Sequence, residues 1–411
     1  MLRFEQTDLD FLTSARGVAL LAQLAEADLS DQGMLRLISG LRRSYSARES
    51  SAALELAQLR RGAIGKFGQA ASVMFFTRDA LEQASHPAAR SWRARCLGTQ
   101  QPVRILDVCC GIGADALAMA AAGAQVTGVD IDPVRLRMAA LNAETLGLRL
   151  TLHAADARAL PPALWQEAER VFFDPARRDG QNRVYHVEGY EPPLSTLRGW
   201  DGTRIWAKLS PGVQRDQLID YLGDCAGIDF ISADGELKEA MLRVGEPEPG
   251  PAQRAVMLLK GIFHVIDTRP EATAPLDRPR GWLVEPDPAI IRAGAVEQVA
   301  AELGGALLES DIAYFTTAER PETPTVKAWR IRESMPFNVK ALRARLRDLG
   351  VGHVTVKKRG TAVTPETLIP QLKLKGKSSC TIVLTRNLGE MVSLICEDLV
   401  EGNFDSPEGE R

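Results

Sequence analysis

Asp107-Val108-Cys109-Cys110-Gly111-Ile112-Gly113, followed by Val126-Thr127-Gly128-Val129-Asp130, is the stretch that decides the fold. An apolar run, Val103 to Leu106, feeds a turn that holds Gly111 and Gly113, and a helix-forming segment, Ala114 to Ala122, follows at once. The second apolar run ends on a carboxylate, Asp130, about twenty positions after the glycines. Glycines let the backbone approach a ligand, a helix N-terminus adds N–H donors, and the second acid can accept from ribose hydroxyls. The pattern predicts a Rossmann-type adenosine site.

Two adenosine ligands fit this spacing. A dinucleotide fingerprint wants a third small residue, and Ala116 supplies one, so NAD is allowed. Asp107, at the strand end, decides against it. A carboxylate there repels a pyrophosphate but suits the cationic amino acid end of S-adenosylmethionine.

The 411 residues exceed one ordinary core and imply two or three domains. With 45% hydrophobic and 25% charged residues, the composition is that of a soluble globular protein. No apolar run approaches a membrane span, and Met1-Leu2-Arg3-Phe4-Glu5 lacks a signal-peptide pattern. Six cysteines without a C-x-x-C pair point to a reducing cytoplasm. His86, His153, His186, His264 and His353 show no ligand spacing, so no metal site is expected. The net charge of −3 hides an asymmetry. Between Lys327 and Arg386 there are 14 Lys and Arg against three acids, a local net of +11 that can attract a polyanion.

Residues 1–98 read as a helical region, with Leu9, Leu12, Val18, Leu21 and Leu24 at helical spacing. From 99 to 266 strands and helices alternate, which predicts a mostly parallel sheet. Its expected strands are 103–107, 125–130, 149–153, 169–174, 203–209, 227–233 and 254–262, the last two joined as a hairpin through Gly245–Pro251. A Pro- and charge-rich linker, Asp267 to Arg280, precedes a third region at 281–400. There Asp287-Pro288-Ala289-Ile290 is expected to start a helix that continues to Leu303. A β-α-β-α-β-β order should begin at Val326, with Asn338 as an N-cap and Gly350 as a C-cap. Residues 401–411 read as a disordered tail. Phe75 and Phe76 suit core packing, with a lid over the ligand pocket as the alternative.

Four motifs stand in order: Asp107 to Gly113, Asp130-Ile131-Asp132-Pro133, Ala155-Asp156-Ala157 and Phe172-Phe173-Asp174-Pro175. In order and spacing they resemble motifs I to IV of class I S-adenosylmethionine-dependent methyltransferases. Phe75-Phe76-Thr77-Arg78, Asp174-Pro175-Ala176-Arg177-Arg178, Glu236-Leu237-Lys238-Glu239-Ala240 and Ile312-Ala313-Tyr314-Phe315 extend the likeness. With them, nearly the whole chain resembles bacterial methyltransferases with a C-terminal THUMP-like domain. The resemblance implies an α/β, Rossmann-like, seven-stranded domain, preceded by helices and followed by an α+β, ferredoxin-like domain. It implies S-adenosylmethionine as cofactor, with Asp107, Cys110, Gly111, Gly113, Asp130, Ile131, Asp156, Phe76 and Thr77 as its contacts. Asp130 would take the ribose and Asp156 the adenine amino group. Cys109 stands where the family's first glycine would be, and both adjacent cysteines are expected to be buried packing residues rather than nucleophiles.

In amino-methylating relatives a motif of the form N/D-P-P-aromatic orients the target nitrogen. Here Asp174 and Pro175 survive as expected catalytic residues, while Ala176-Arg177 replaces the second proline and the aromatic. Arg177 and Arg178 could stack on a base or hold a phosphate, and Lys208 could contact substrate or make a salt bridge. Lys340 and Arg343 with Arg347, then Lys357-Lys358-Arg359, then Lys373, Lys375 and Lys377, form basic clusters expected to hold RNA, structured rRNA or tRNA. The expected function is nitrogen methylation of structured RNA. A cofactor-binding RNA-binding protein without turnover and a small-molecule methyltransferase are the alternatives.

Overall fold

The computed structural model describes residues 2–97, 102–179, 182–183, 186–222, 226–246 and 250–398. The expected tail, Tyr185 and the side chain of Arg178 lie outside the described residues. The chain forms two compact units, one of residues 1–228 and 238–250, the other of 229–237 and 251–411.

The first unit opens with helices α1 (Gln6–Thr13), α2 (Ala15–Ala25), α3 (Asp31–Leu41) and α4 (Ala47–Phe67). Ser14, Ser30 and Ser46 each start a helix by accepting a hydrogen bond from a backbone N–H three residues on, which satisfies a donor the helix cannot. Their apolar stripes bury Leu9, Leu12, Leu20, Leu24 and Leu56 together with Ile112, Leu117 and Met138 of the following Rossmann segment. The N-terminal helices therefore share a core with the sheet layer. Val18, periodic in sequence, is more than half exposed.

Two short helices follow, α5 (Arg78–Gln83) and α6 (Pro87–Cys96). The sheet then forms from β1 (Arg104–Val108), β2 (Gln125–Asp130), β3 (Leu150–Ala154), β4 (Arg170–Phe173) and β5 (Ile205–Leu209), all parallel. Helices α7 (Ala114–Ala121), α8 (Pro133–Thr145) and α9 (Pro162–Gln166) make the crossovers. The seven strands expected stand within a sheet of nine, and the sequence misplaces the last of them. After β6 (Gly227–Ala233) comes β7 (Glu236–Val244), which runs antiparallel beside β5. The turn between them is Asp234-Gly235, both at positive φ, a tight hairpin where the sequence suggests a long one near Gly245–Pro251. The order is β6-β7-β5-β4-β1-β2-β3. The expected strand 254–262 is two, β8 (Gln253–Leu259) and β9 (Ile262–Asp267), because Lys260-Gly261 turns left-handed.

In the second unit, β8 and β9 pair antiparallel, and a seven-stranded sheet follows. The Asn338-capped helix and the β-α-β-α-β-β order appear as expected, as β13 (Val326–Pro336), α12 (Val339–Asp348), β14 (Val351–Lys358), α13 (Pro365–Leu372), β15 (Ser378–Asn387) and β16 (Glu390–Cys396). Three strands not foreseen extend the sheet: β10 (Trp282–Pro286), β11 (Ala306–Glu309) and β12 (Ile312–Thr317). The helix expected from 287 to 303 starts where expected but is broken into α10 (Pro288–Arg292) and α11 (Val296–Glu302), with Gly294 at φ 72° between them. Among the described residues no helix is long and apolar enough to cross a membrane, and no group of His, Cys, Asp or Glu could hold a metal.

Candidate active site

Parallel strands deliver their C-terminal ends to one edge of a sheet, so the ends of β1, β2 and β4 meet there. The turn after β1 is locked to β2 by Cys110 N–H donating to Val129 O at 3.0 Å. Cys109, Gly111 and Gly113 all have positive φ, at 65°, 56° and 83°. Cys109 thus keeps the left-handed geometry the family gives to glycine, at a cost of about 1–2 kcal/mol. Cys110 packs over β2 at Gly128, where any Cβ would stand 3.0 Å from the Cys110 sulfur. Burial pushes both thiols well up, so they are held protonated, as packing residues should be.

A cavity of about 260 Å³ opens between this turn, the end of β2 and the end of β4. Cys110, Gly111, Asp130, Ile131, Asp156 and Asp174 all line it, which brings together most of the residues expected at the cofactor. One oxygen of Asp130 accepts from Gly111 N–H at 2.8 Å and the other from Asp132 N–H at 2.9 Å. The carboxylate is therefore fixed in direction, and each oxygen keeps a lone pair for a ribose hydroxyl. Ile131 is 66% exposed, an apolar surface suited to a purine face. Asp156 is engaged by Arg158, which donates from its backbone at 2.9 Å and its side chain at 3.1 Å. Those bonds hold the Asp156 carboxyl below its usual range.

Asp107 sits just behind the turn, 1% exposed, and among the described residues both its oxygens lack a hydrogen-bond partner. Burial, then the nearby Asp115 and Asp174, push its carboxyl well above the usual range. An orphaned buried acid is costly unless a ligand completes it. The ammonium of S-adenosylmethionine is such a partner, so the residues present fit that cofactor. A carboxyl raised by burial favours the free protein while protonated, and that contribution is lost as pH rises through its folded pKa. Asp107→Asn should therefore raise the melting temperature of the free protein at neutral pH. It should also weaken cofactor binding at least about tenfold, the worth of a charged hydrogen bond. Scanning calorimetry and cofactor titration check both; an Asn variant that binds as well as wild type contradicts the assignment.

Phe76 and Thr77 are placed elsewhere. Phe76 is fully buried against Phe67, 5.2 Å between ring centres, and the Thr77 hydroxyl caps α5 by accepting from Ala80 N–H. The cavity is covered instead by Ala80, Gln83 and Ala84, from α5 and the residue after it. Asn142 ties Phe75 to the turn, accepting from Phe75 N–H at 2.6 Å and donating to Phe75 O and Ile112 O. Thr77 as a helix cap was the available signal for that cover.

At the end of β4, Pro175 is buried, while Asp174 faces the cavity. Asp174 Oδ2 accepts from the buried Lys208 ammonium at 2.8 Å, and among the described residues Oδ1 has no partner. Burial raises the Asp174 carboxyl and Lys208 opposes that rise. Arg177 follows with a buried, unpartnered Nη1. A network not foreseen lies behind. Arg93, fully buried in α6, donates Nε to Asp115 at 3.0 Å and Nη1 to Glu239 of β7, and its guanidinium stacks 4.5 Å over the Phe172 ring.

The basic C-terminal residues divide into two sets. Lys357 Nζ bonds Glu285 at 2.5 Å and lies 4.4 Å over Trp329, while Arg359 reaches the same carboxylate at 3.5 Å. Arg345 pairs with Glu333 and Arg386 with Asp311. Lys340, Arg347, Lys358, Lys373, Lys375 and Lys377 are exposed, and among the described residues none forms an ion pair. Arg343 is half-buried, its Nε unpartnered. Lys373 to Lys377 is pinned by close backbone packing: Lys377 N–H donates to Gly350 O at 2.9 Å, and a Cβ at Gly376 would strike that carbonyl at 1.8 Å.

Comparison with known proteins matches residues 105–173 to a methyltransferase domain, 326–398 to a THUMP domain-like family, and 5–63 to a domain of unknown function. An uncharacterized S-adenosylmethionine-dependent methyltransferase of Mycobacterium tuberculosis is 32% identical over 355 residues, covering 84% of this chain and 96% of its own. A solved protein of Porphyromonas gingivalis W83, itself assigned only provisionally as a methyltransferase, superposes with a TM-score of 0.76 at 22% identity. That superposition covers 97% of this chain and 99% of the other, so the two share a fold. The 23S rRNA (uracil(747)-C(5))-methyltransferase RlmC of Vibrio vulnificus is 31% identical over 120 residues, 29% of this chain and 31% of its own.

Proposed function

The chain belongs to the S-adenosylmethionine-dependent methyltransferases, and from that premise we propose that it methylates a nitrogen of structured RNA held by its basic C-terminal domain. The observation that carries the reading is Asp174, which lines the cofactor cavity with one oxygen held by Lys208 and the other free to accept. When bound, S-adenosylmethionine supplies an electrophilic sulfonium methyl. Asp174 Oδ1 accepts from the acceptor N–H and so turns the nitrogen lone pair toward that methyl. The cofactor would give up its methyl to the acceptor nitrogen and keep the electron pair on sulfur, and Asp174 would take the displaced N–H proton or pass it to solvent. Alignment, not acid–base strength, supplies most of the rate.

A carbon acceptor fits these residues less well. RlmC acts by name on a uracil carbon, and methylation of such a carbon calls for a nucleophile that first adds to the ring. Among the described residues, Cys109 and Cys110 are the only thiols lining this cavity, and burial pushes both well up.

RNA as partner is supported by the THUMP-like match and by the exposed lysine set. Trp329 is buried and Phe337 half-buried, so phosphate contact suits this surface better than base stacking. Changing Lys373, Lys375 and Lys377 together to alanine should lower the slope of log affinity for RNA against log salt by about two to three units. Lys357→Ala, which removes a partner of Glu285, should leave that slope nearly unchanged. Equal slopes for wild type and the triple variant would remove this surface from the reading. Digestion of methylated RNA to nucleosides tests the acceptor: an N-methyl nucleoside is expected, and a 5-methylpyrimidine refutes nitrogen.

A further inference from the structure

The six-residue helix α5 is an unusual cover for a cavity, because it is too short to stabilise itself. Its terminal carbonyls are held by two lysines from elsewhere in the same unit. Lys66 Nζ donates to Leu81 O at 2.7 Å, Glu82 O at 3.0 Å and Ala84 O at 3.1 Å. Lys208 Nζ, from β5, donates to Gln83 O at 2.9 Å, completing the set. Cations at a helix C-terminus are favourable, and these also satisfy carbonyls the helix leaves open.

Lys208 does a second thing that Lys66 does not. The same ammonium that holds Gln83 O holds Asp174 Oδ2, so one buried group joins the cavity cover to the carboxylate at the end of β4. We propose that Lys208 is a positioning residue, one that touches no substrate and instead couples closure of residues 78–84 over the cofactor to the direction and ionisation of Asp174. The inference rests on Asp174 facing the methyl acceptor.

The charges around Asp174 show why a cation is needed there. Asp115 of α7 and Asp107 of β1 face it as like charges, with Cys109 beside it, and Arg177 on its own segment and Lys208 on β5 oppose them. Arg93 is committed to Asp115 and Glu239, and Arg90 stacks on Phe67 while donating to Lys66 O. Among the described residues, Lys208 alone is hydrogen-bonded to the Asp174 carboxylate. Without it, the carboxyl would be left buried among acids and would hold its proton to higher pH, a weaker acceptor for an N–H and no longer a base. Removing Lys66 would loosen the cover and leave that carboxyl in place.

The test needs no substrate. Carbon-13 NMR follows the Asp174 carboxyl, identified by its loss in Asp174→Asn, while hydrogen exchange follows the Leu81 and Ala84 amides, which close α5 by donating to Thr77 O and Ala80 O. In Lys208→Met the Asp174 titration should rise by about one unit or more. Both amides should exchange at least about tenfold faster. Lys208→Arg should restore both signals, and Lys66→Met should speed exchange only. An unshifted Asp174 in Lys208→Met, or an Arg variant indistinguishable from Met, overturns the proposal. Methyl transfer to RNA is the separate arm, where the acid limb of the Lys208→Met profile should move to higher pH with kcat reduced more than cofactor KM. If wild type methylates no RNA while the NMR coupling is present, the functional reading fails and the role of Lys208 stands.

Discussion

Asp174→Ala is expected to lower kcat for methyl transfer by about 10²–10⁴-fold while the protein still binds its cofactor. The physical reason is directional. Displacement at a sulfonium methyl needs a near-linear approach, and under the proposed function Asp174 Oδ1 is the acceptor that would set the angle of the nitrogen lone pair. The groups proposed to hold the cofactor lie elsewhere, at Asp130 and the turn at Cys110-Gly111 in the cavity lining and at Asp107 behind it, so binding should survive. Asp174→Asn should fall between alanine and wild type, since it keeps an accepting oxygen and loses the charge that pairs with Lys208. Single-turnover kinetics and cofactor titration separate the two effects. A cofactor affinity that collapses with the rate would place Asp174 in cofactor binding instead.

The second large effect concerns stability. Arg93→Met is expected to cost about 3–5 kcal/mol, because it strands Asp115 and Glu239 as buried carboxylates. Burial works against the charge of Arg93, yet the two acids overcome it and hold its pKa above the ordinary value. In return, burial pushes the Asp115 carboxyl up, and Arg93 more than reverses this, so that it lies below its usual range. In wild type that pair stabilises above the unfolded carboxylate pKa and is lost as pH falls through the lower folded one. In the variant the sign inverts. A stranded Asp115 is raised, so its deficit is greatest at neutral pH and shrinks as pH falls and the acid takes a proton. Denaturant unfolding of both proteins between about pH 8 and pH 5 reads this, and a deficit that grows on acidification contradicts it.

What sequence reveals here follows from how local each signal is. The turn from Asp107 to Gly113 and the acid at Asp130 are legible because their geometry is set by adjacent residues and a fixed strand–helix–strand length. The Asn338 cap is legible for the same reason. The antiparallel strand β7 is hidden, because its residues read as a continuation of the Pro/Glu-rich segment and only Asp234-Gly235 marks the turn. Phe76 packs in the core, as its residue type suggests and not as the cofactor contact the resemblance implies, because the bend between α4 and α5 turns it inward and leaves Ala80, Gln83 and Ala84 over the cavity. The partners of Arg93 lie in α7 and β7, and the Glu285 that takes Lys357 and Arg359 lies in another strand, so no spacing rule connects them. Lys208 was legible as a salt-bridge candidate from its place at a strand end. Its grip on Gln83 was not, because that bond is to a backbone oxygen and leaves no trace in side-chain pattern.

The most direct test is transfer of radiolabelled methyl from S-adenosylmethionine to total RNA from a strain lacking this gene, comparing wild type with Asp174→Ala. Label that enters RNA as an N-methyl nucleoside with wild type, and is lost with the variant, is the predicted result. RNA left unlabelled by a wild-type protein that binds the cofactor in a parallel titration would contradict it.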